Sequence, residues 1–454
     1  MNKSILGIDL GTSSVKLLLW HSDGQIQKAK ASYNEKTPKG WLNAIKEAVK
    51  ELDTSIIGAI GLSSQVGTYI INNTDVISWD SGVGNDELEY IKNSFSAEKF
   101  VDEIAMPHPN ILSYPIPRLM YIKKHYKHIE SICQPKDYIL MKLTGNCVTD
   151  KYSFRGLVHG LKGTYSDFFL RKIGIDKNVL PLVVSPDTMA GLTTAQCAQY
   201  IGIPEGLPVF VGLNDFFSSV VGMGTENVGD MFDITGTSEH LGIICDSLNR
   251  DTKMVSGMYF DKYIHYGVTA SSGASLDFGI KNFGFDDINI GKCLNNKPPI
   301  FTPYLNGERA PIFDSNARGT FLGISSDCSK QDMAYSILEG VSFSLYHIYE
   351  NMGCPKYNNL TVSGGASKNK TLNILKSELF NTTVQTLKEN DTSALGAAKI
   401  AANALGIDTN HHFNTITDII SPSGKYRDIL LQRYNIYKNI YTSLKEQFIK
   451  FSNI

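Results

Sequence analysis

The sequence predicts two α/β domains around a cleft, and three observations carry that expectation. At 454 residues the chain exceeds what one hydrophobic core usually serves and suits two domains of roughly 200 residues each. A strand, a Gly-Thr-Ser turn and a second strand occur twice, first in SILGIDLGTSSVKLLLW and again in DMFDITGTSEHLGIIC. In both halves apolar strands then alternate with helical patterns, as in layered sheet-and-helix folds. The glycine-rich stretch VVGMGTENVGDMF marks the boundary, giving expected domains 1–224 and 225–454.

The elements follow in order. SILGIDLG leads through the first turn into SVKLLLWH, and Asp23-Gly24, a strong hairpin signal, returns the chain as QIQKAKASY. WLNAIKEAVKEL is helical, with Trp41, Ile45, Ala48, Val49 and Leu52 on one stripe. A short buried strand, IGAIGLSS, comes next. Helices are expected over DELEYIKNSF and PRLMYIKKHYKHIESI, and LPVFVGLND reads as a buried strand ending on polar residues. The second half adds a long helix in SKQDMAYSILEGVSFSLYHIYENM and a strand in NLTVSGGAS. Helix KTLNILKSELFN, strand TTVQTL and the alanine-rich helix SALGAAKIAANALG complete it.

Composition excludes several functions. The 42% apolar and 19% charged shares are ordinary for a globular chain. A net charge of −2 with no basic block gives nucleic acid or a membrane surface no electrostatic footing. The seven cysteines are odd in number, scattered, and lack zinc-knuckle or redox-dithiol spacing, so they read as reduced thiols of a cytoplasmic protein. No run approaches the ~18 apolar residues of a membrane span, and the N-terminus shows no signal-peptide pattern. His108, His125, His128 and His240 show no metal spacing and read as surface or supporting residues.

The chemistry concentrates in four places. The first turn carries an acid before it (Asp9), hydroxyls within it (Thr12, Ser13, Ser14) and a cation after it (Lys16). Glycine lets backbone approach a ligand, successive turn amides form an anion-binding nest, and Lys16 can neutralise a terminal phosphate. Asp9 repels phosphate, so its use is through magnesium, with water between. One such turn is as consistent with an ordinary hairpin; two favour a clamp on a nucleotide tail. In SGGASKNKTLNIL, Gly364 and Gly365 end a strand where flat backbone can meet a base or sugar, with Asn369 as donor and acceptor. In VFVGLNDFFSS, Asp215 ends a buried strand, where a carboxylate is costly unless paired or used. It is either a general base for an alcohol or a helix N-cap.

With these residues in place, the chain resembles the FGGY family of carbohydrate kinases, within the clan of actin-like, ribonuclease-H-like ATPases. GIDLGTSSVK is similar to the family's first phosphate motif and ITGTSEHLG to its second. SGGASKNKTLNILKSELFN with NDTSALGAAKIAA resembles its adenosine region. QPKDYILMKLTGNCVTDKYS and PYLNGERAPIFDSNARGTFLGI are more specific to the family, and actin-like chaperones lack them. The resemblance implies two actin-like domains flanking the cleft, ATP and Mg2+ as cofactors, and a small-molecule sugar or polyol substrate; it allows a homodimer. Carried over by position, Asp215 is the general base and Asp9 the magnesium-side carboxylate. Thr12, Ser13 and Lys16 meet the phosphates from the first domain, Gly236 and Thr237 from the second. Gly273, Gly365, Ala366 and Asn369 line the nucleotide pocket, and Gln65, Val66, Trp79 and Asn214 join Asp215 on the sugar side.

That sugar side departs from the family pattern. The layout is most like xylulose kinases, which usually continue Gly-Leu-Ser-Gly-Gln with Met-His-Gly, whereas this chain reads GLSSQVGTYI. Gln65 is kept, while Val66, Gly67 and Thr68 replace the histidine region. Ser81 and Val83 stand where the family commonly has Asp and Arg after its Trp, with Asp80 one place off. A wall with fewer hydrogen-bonding groups discriminates hydroxyls less sharply. Trp79 is equally a core aromatic or a sugar contact. The competing function classes are an actin- or chaperone-like ATPase and an inactive sugar sensor.

Overall fold

The computed structural model describes residues 4–106, 111–249, 254–286, 288–409 and 413–453; His108 lies outside the described residues. The chain forms two compact units, Met1–Gly224 with Asp391–Asn414, and Thr225–Asn390 with Thr415–Ile454.

In the first unit, β1 (Ser4–Leu10), β2 (Ser14–Trp20) and β3 (Ile26–Ser32) run antiparallel in succession. β4 (Ile57–Ser64) lies parallel to β1, β5 (Met189–Leu192) forms an edge, and β6 (Pro208–Asn214) lies parallel to β4. The sheet order is therefore β5-β6-β4-β1-β2-β3. Side chains alternate between its faces. Leu6, Ile8, Leu17, Leu19 and Leu62 meet Trp41, Ile45 and Ala48 of helix Pro38–Val49, which starts at a Thr37 cap. Ile5, Leu18, Trp20 and Ala59 face the opposite way.

What covers that second face is the alanine-rich helix, Thr392–Ala404. Expected from its position in the second domain, it folds instead into the first unit. The physical reason is close backbone approach. A Cβ on Gly7 would lie 1.9 Å from the Ala394 carbonyl oxygen, and one on Gly61 1.9 Å from that of Ala397. Glycines in the sheet, and Ala394, Ala397, Ala398 and Ala401 in the helix, let main chain rest on main chain.

The second unit repeats the plan. β7 (Asp230–Thr235) and β8 (Glu239–Cys245) form a hairpin, and β9 (Val255–Tyr259) and β10 (Lys262–Val268) extend it. β11 (Asn359–Gly364) and β12 (Val384–Leu387) run parallel on the other side, and β13 (Ile416–Ile420) closes the edge antiparallel. The order β9-β10-β8-β7-β11-β12-β13 matches the first sheet strand for strand, with β9 as an addition. The duplicated turn in the sequence thus marks a duplicated fold.

Two expectations change. The helix read over PRLMYIKKHYKHIESI stops at His125, as Pro115–His125. Beyond it, Asn72 takes the Glu130 and Ser131 amides, and Ile132–Cys133 pairs with Ile70–Ile71 as a short strand. The C-terminal helix Arg427–Ser452 has no counterpart among the sequence expectations; it buries Leu430, Tyr434, Tyr437 and Ile440 against helix Lys330–Asn351 and its neighbours.

Candidate active site

In the first unit Asp9, Gln65, Asn214 and Asp215 stand at or just past the carboxyl ends of the three parallel strands β1, β4 and β6, where open α/β sheets commonly bind ligands. Register places Asp9 beside Ser63, and Leu10 and Asn214 each beside Ser64. Asp9 is buried, and its two oxygens accept the Ser63 hydroxyl at 3.0 Å and the Ser393 hydroxyl at 2.5 Å. Lys16 pairs with Asp9 across β1 and β2 in register, and its ammonium lies 2.7 Å from Asp391. Burial works against the Lys16 charge, yet the Asp391 carboxylate outweighs it and lifts the lysine above its ordinary value.

The structure separates the alternatives for Asp215. Helix Asp215–Gly222 is capped by Asn214, whose side chain accepts the Phe217 amide at 3.1 Å. Asp215 is the first helical residue, so the capping job belongs to its neighbour. Asn214 also donates to the Tyr152 carbonyl at 3.1 Å, which fixes the strand-to-helix corner. Asp215 accepts its adjacent Phe216 amide at 2.8 Å, and its own backbone amide also favours the carboxylate. Burial, then the nearby charge of Asp9, raise its carboxyl to about 7. A carboxylate so placed is poised to exchange a proton near neutral pH.

Gln65, expected from the sequence to face a sugar, carries an amide that is both donor and acceptor. It is 3% exposed, and neither its side-chain oxygen nor its nitrogen has a partner. An unsatisfied buried amide costs roughly 1–3 kcal/mol, so this one is dressed for a ligand. Val66 is exposed and Trp79 half-buried. The replaced positions are used structurally. Thr68 is fully buried and its hydroxyl takes the Trp79 amide at 3.1 Å. Arg118, buried on helix Pro115–His125, donates to the carbonyls of Ser78, Trp79, Ser81 and Val83 at 2.7–3.3 Å. The loop is therefore pinned by an arginine from another element. Asp80 is engaged by Lys36 at 2.6 Å.

The second unit assembles its own set. Gly236 and Thr237 are exposed at the β7–β8 turn, where the Gly236 amide donates to the Ser238 carbonyl at 2.8 Å. Gly273, in the first turn of helix Ser272–Asn282, backs onto that turn: a Cβ there would lie 1.9 Å from the Gly236 oxygen. The two glycines after β11 differ in use. Gly364, at φ +87°, presses on Thr235, whereas a Cβ on Gly365 would meet nothing within 4 Å. Ala366 is half-buried, and Asn369 caps helix Lys370–Phe380 by accepting the Leu372 amide at 2.9 Å. Beneath the turn, Lys376 binds Asp233, and Glu239 at 2.8 Å, all fully buried; Glu239 also takes the Thr235 and Ser272 hydroxyls.

Each unit offers polar groups of its own. Asp9 keeps a free lone pair on each oxygen for a metal-bound water, and Gly365 leaves room for a flat group. Among the described residues no group of three His, Cys, Asp or Glu is placed to hold a metal. Such an ion would take most of its ligands from phosphate and water, as magnesium does. Sequence reading missed the residues that hold these groups: Ser63, Ser393, Asp391 and Arg118. None had a local signal, because each meets its partner across a long stretch of sequence. Among the described residues no helix is long and apolar enough to cross a membrane.

Comparison with known proteins follows this geometry. The model of the N-terminal domain of the FGGY family of carbohydrate kinases matches residues 4–222, and that of its C-terminal domain matches residues 233–405. A xylulose kinase of Staphylococcus xylosus is 28% identical over 494 residues, spanning 96% of this chain and 99% of the relative. A gluconokinase of Bacillus subtilis is 25% identical over 482 residues, spanning 94% and 92%. The crystal structure of a gluconate kinase from Lactobacillus acidophilus superposes with a TM-score of 0.87 at 23% identity, covering 99% of this chain and 100% of the other, a likeness of fold.

Proposed function

The chain belongs to the FGGY family of carbohydrate kinases, and from that premise we propose that it transfers the γ-phosphate of MgATP to a hydroxyl of a ketose or polyol, a pentulose such as D-xylulose being the first substrate. The observation that carries this reading is Asp215, which leaves the capping to Asn214 and whose carboxyl is raised to about 7 by burial and the charge of Asp9.

In this reading Gln65 holds the sugar through hydrogen bonds its amide otherwise lacks, with Trp79 and Val66 beside it. Asp215 accepts the proton of the attacking hydroxyl as the new oxygen–phosphorus bond forms and ADP leaves. Bound MgATP supplies the transferable phosphoryl group and the metal charge that offsets its oxygens. Lys16, Thr12 and Ser13 are the first unit's residues for phosphate, and Gly236 and Thr237 the second unit's; Gly273, Gly365, Ala366 and Asn369 are the second unit's residues for the nucleoside. Asp9 would hold a magnesium ion through its water. The work is alignment and charge neutralisation, since phosphoryl transfer asks little covalent help of the protein.

The named relatives support xylulose first and a sugar acid second. ADP release from MgATP across ketoses, polyols and sugar acids tests the reading. At least one compound is expected to stimulate release well above the sugar-free rate; if none does, the reading fails. Gln65→Met is expected to raise the sugar KM about tenfold with little change in the KM for MgATP, and to raise stability by about 1 kcal/mol by removing an unpaired buried amide. Steady-state kinetics and denaturant unfolding check both.

A further inference from the structure

The first turn of the alanine-rich helix touches both charged groups of the first hairpin. Asp391, its N-cap residue, lies 2.7 Å from the Lys16 ammonium and 3.2 Å from that of Lys28. Ser393, two residues on, donates to Asp9 at 2.5 Å. We propose that Asp391 and Ser393 are positioning residues for phosphoryl transfer, Asp391 aiming Lys16 and Ser393 aiming Asp9. The inference rests on the phosphate- and metal-side roles proposed above for those two residues.

Stability does not account for the Asp391 pair. Its side chains are 38% and 30% exposed, and ion pairs that open to water contribute little to folding. Orientation does. A lysine head on a four-carbon stem samples many rotamers, and a carboxylate anchoring it selects a few. Asp391 is itself held by two ammonium groups, and Asp9 by two hydroxyls, one on each oxygen.

The anchor is also rigid. A Cβ on Gly396 would lie 1.8 Å from the Ser218 oxygen, and one on Gly222 2.0 Å from the Thr392 oxygen. With the Gly7 and Gly61 approaches, these set the depth of the helix backbone against helix Asp215–Gly222 and the sheet. Its first turn therefore delivers Asp391 and Ser393 to fixed points at the strand ends. Sub-ångström placement of charge is what this class of reaction rewards.

A double-mutant cycle tests the proposal. Lys16→Met, Asp391→Asn and the double variant are compared by kcat and KM for MgATP and sugar, with thermal unfolding confirming that each is folded. Lys16→Met is expected to lower kcat/KM for MgATP about 100-fold and Asp391→Asn about tenfold, with the double no worse than Lys16→Met alone. Asp391→Glu should recover most of the Asp391→Asn loss, and the sugar KM should stay within about twofold. Ser393→Ala is expected to lower kcat about tenfold, and Ser393→Thr to restore it. Independent, multiplying losses, or a Lys16→Met loss with Asp391→Asn at wild-type activity, overturn the positioning role and leave the proposed function standing. A Lys16→Met enzyme as active as wild type removes the phosphate role of Lys16 and the inference with it.

Discussion

Asp215→Asn is expected to lower kcat about 1,000-fold and to make the protein more stable. The loss follows from removing the group that takes the alcohol proton; the amide keeps the shape and hydrogen-bonding reach but has no basicity. The gain follows from the raised carboxyl. In the unfolded chain this group releases its proton near 3.8, and in the folded state at about 7. Between those values the folded protein holds the extra proton, so the wild-type chain loses stability as pH rises through that window and levels off above it. The Asn variant lacks that slope. Because Asp215 is only half-buried, water screens part of the penalty, and the variant should lead by about 1–2 kcal/mol at pH 8 and by nothing below about pH 4. Thermal unfolding of both proteins without ligand, across pH 4–8, reads the gap directly.

Gly61→Ala is expected to cost about 3 kcal/mol or more and to yield little folded protein. The added methyl would stand 1.9 Å from the Ala397 carbonyl oxygen, and neither partner is a side chain that can swing away. The strand or the helix must shift. Either movement opens the seam formed by Ile5, Ala59, Ala394, Ala398 and Ala401 and draws Ser393 away from Asp9. Denaturant unfolding measures the cost. An alanine at Gly145, where a Cβ meets nothing within 4 Å but φ is +83°, is a control confined to backbone strain. Its cost should be smaller.

Much of this was legible in the chain. Strand β1, its polar turn and β2 announce themselves by mostly apolar runs on either side of Gly-Thr-Ser, and the same words at Gly236–Ser238 announce the second copy. The position of Asp215 at a strand-to-helix corner was readable from LPVFVGLND. That Asn214 takes the cap was not, because Asn and Asp both cap well and stand side by side. Residues 391–414 interrupt the second unit in sequence and pack in the first, and nothing local records such a crossing. The signals exist only as pairs: Gly7 with Ala394, Gly61 with Ala397, Gly222 with Thr392. Arg118 carried no sequence signal either; its role depends on four carbonyls between 78 and 83 that a side-chain pattern does not display. The end of helix Pro115–His125 fell short of its expected length because tertiary pairing with Ile70–Ile71 outweighed helical propensity.

The pH dependence of kcat/KM for the best sugar, at saturating MgATP between pH 5 and 9, tests the central claim most directly. A base that must be deprotonated predicts one ascending limb, falling about tenfold per pH unit below its midpoint and flat above. The midpoint should lie at about 7 or lower, since a cation near Asp9 eases ionisation of Asp215. A rate that is level across the whole range, or that declines as pH rises through neutrality, would contradict Asp215 as the acceptor of the sugar's proton.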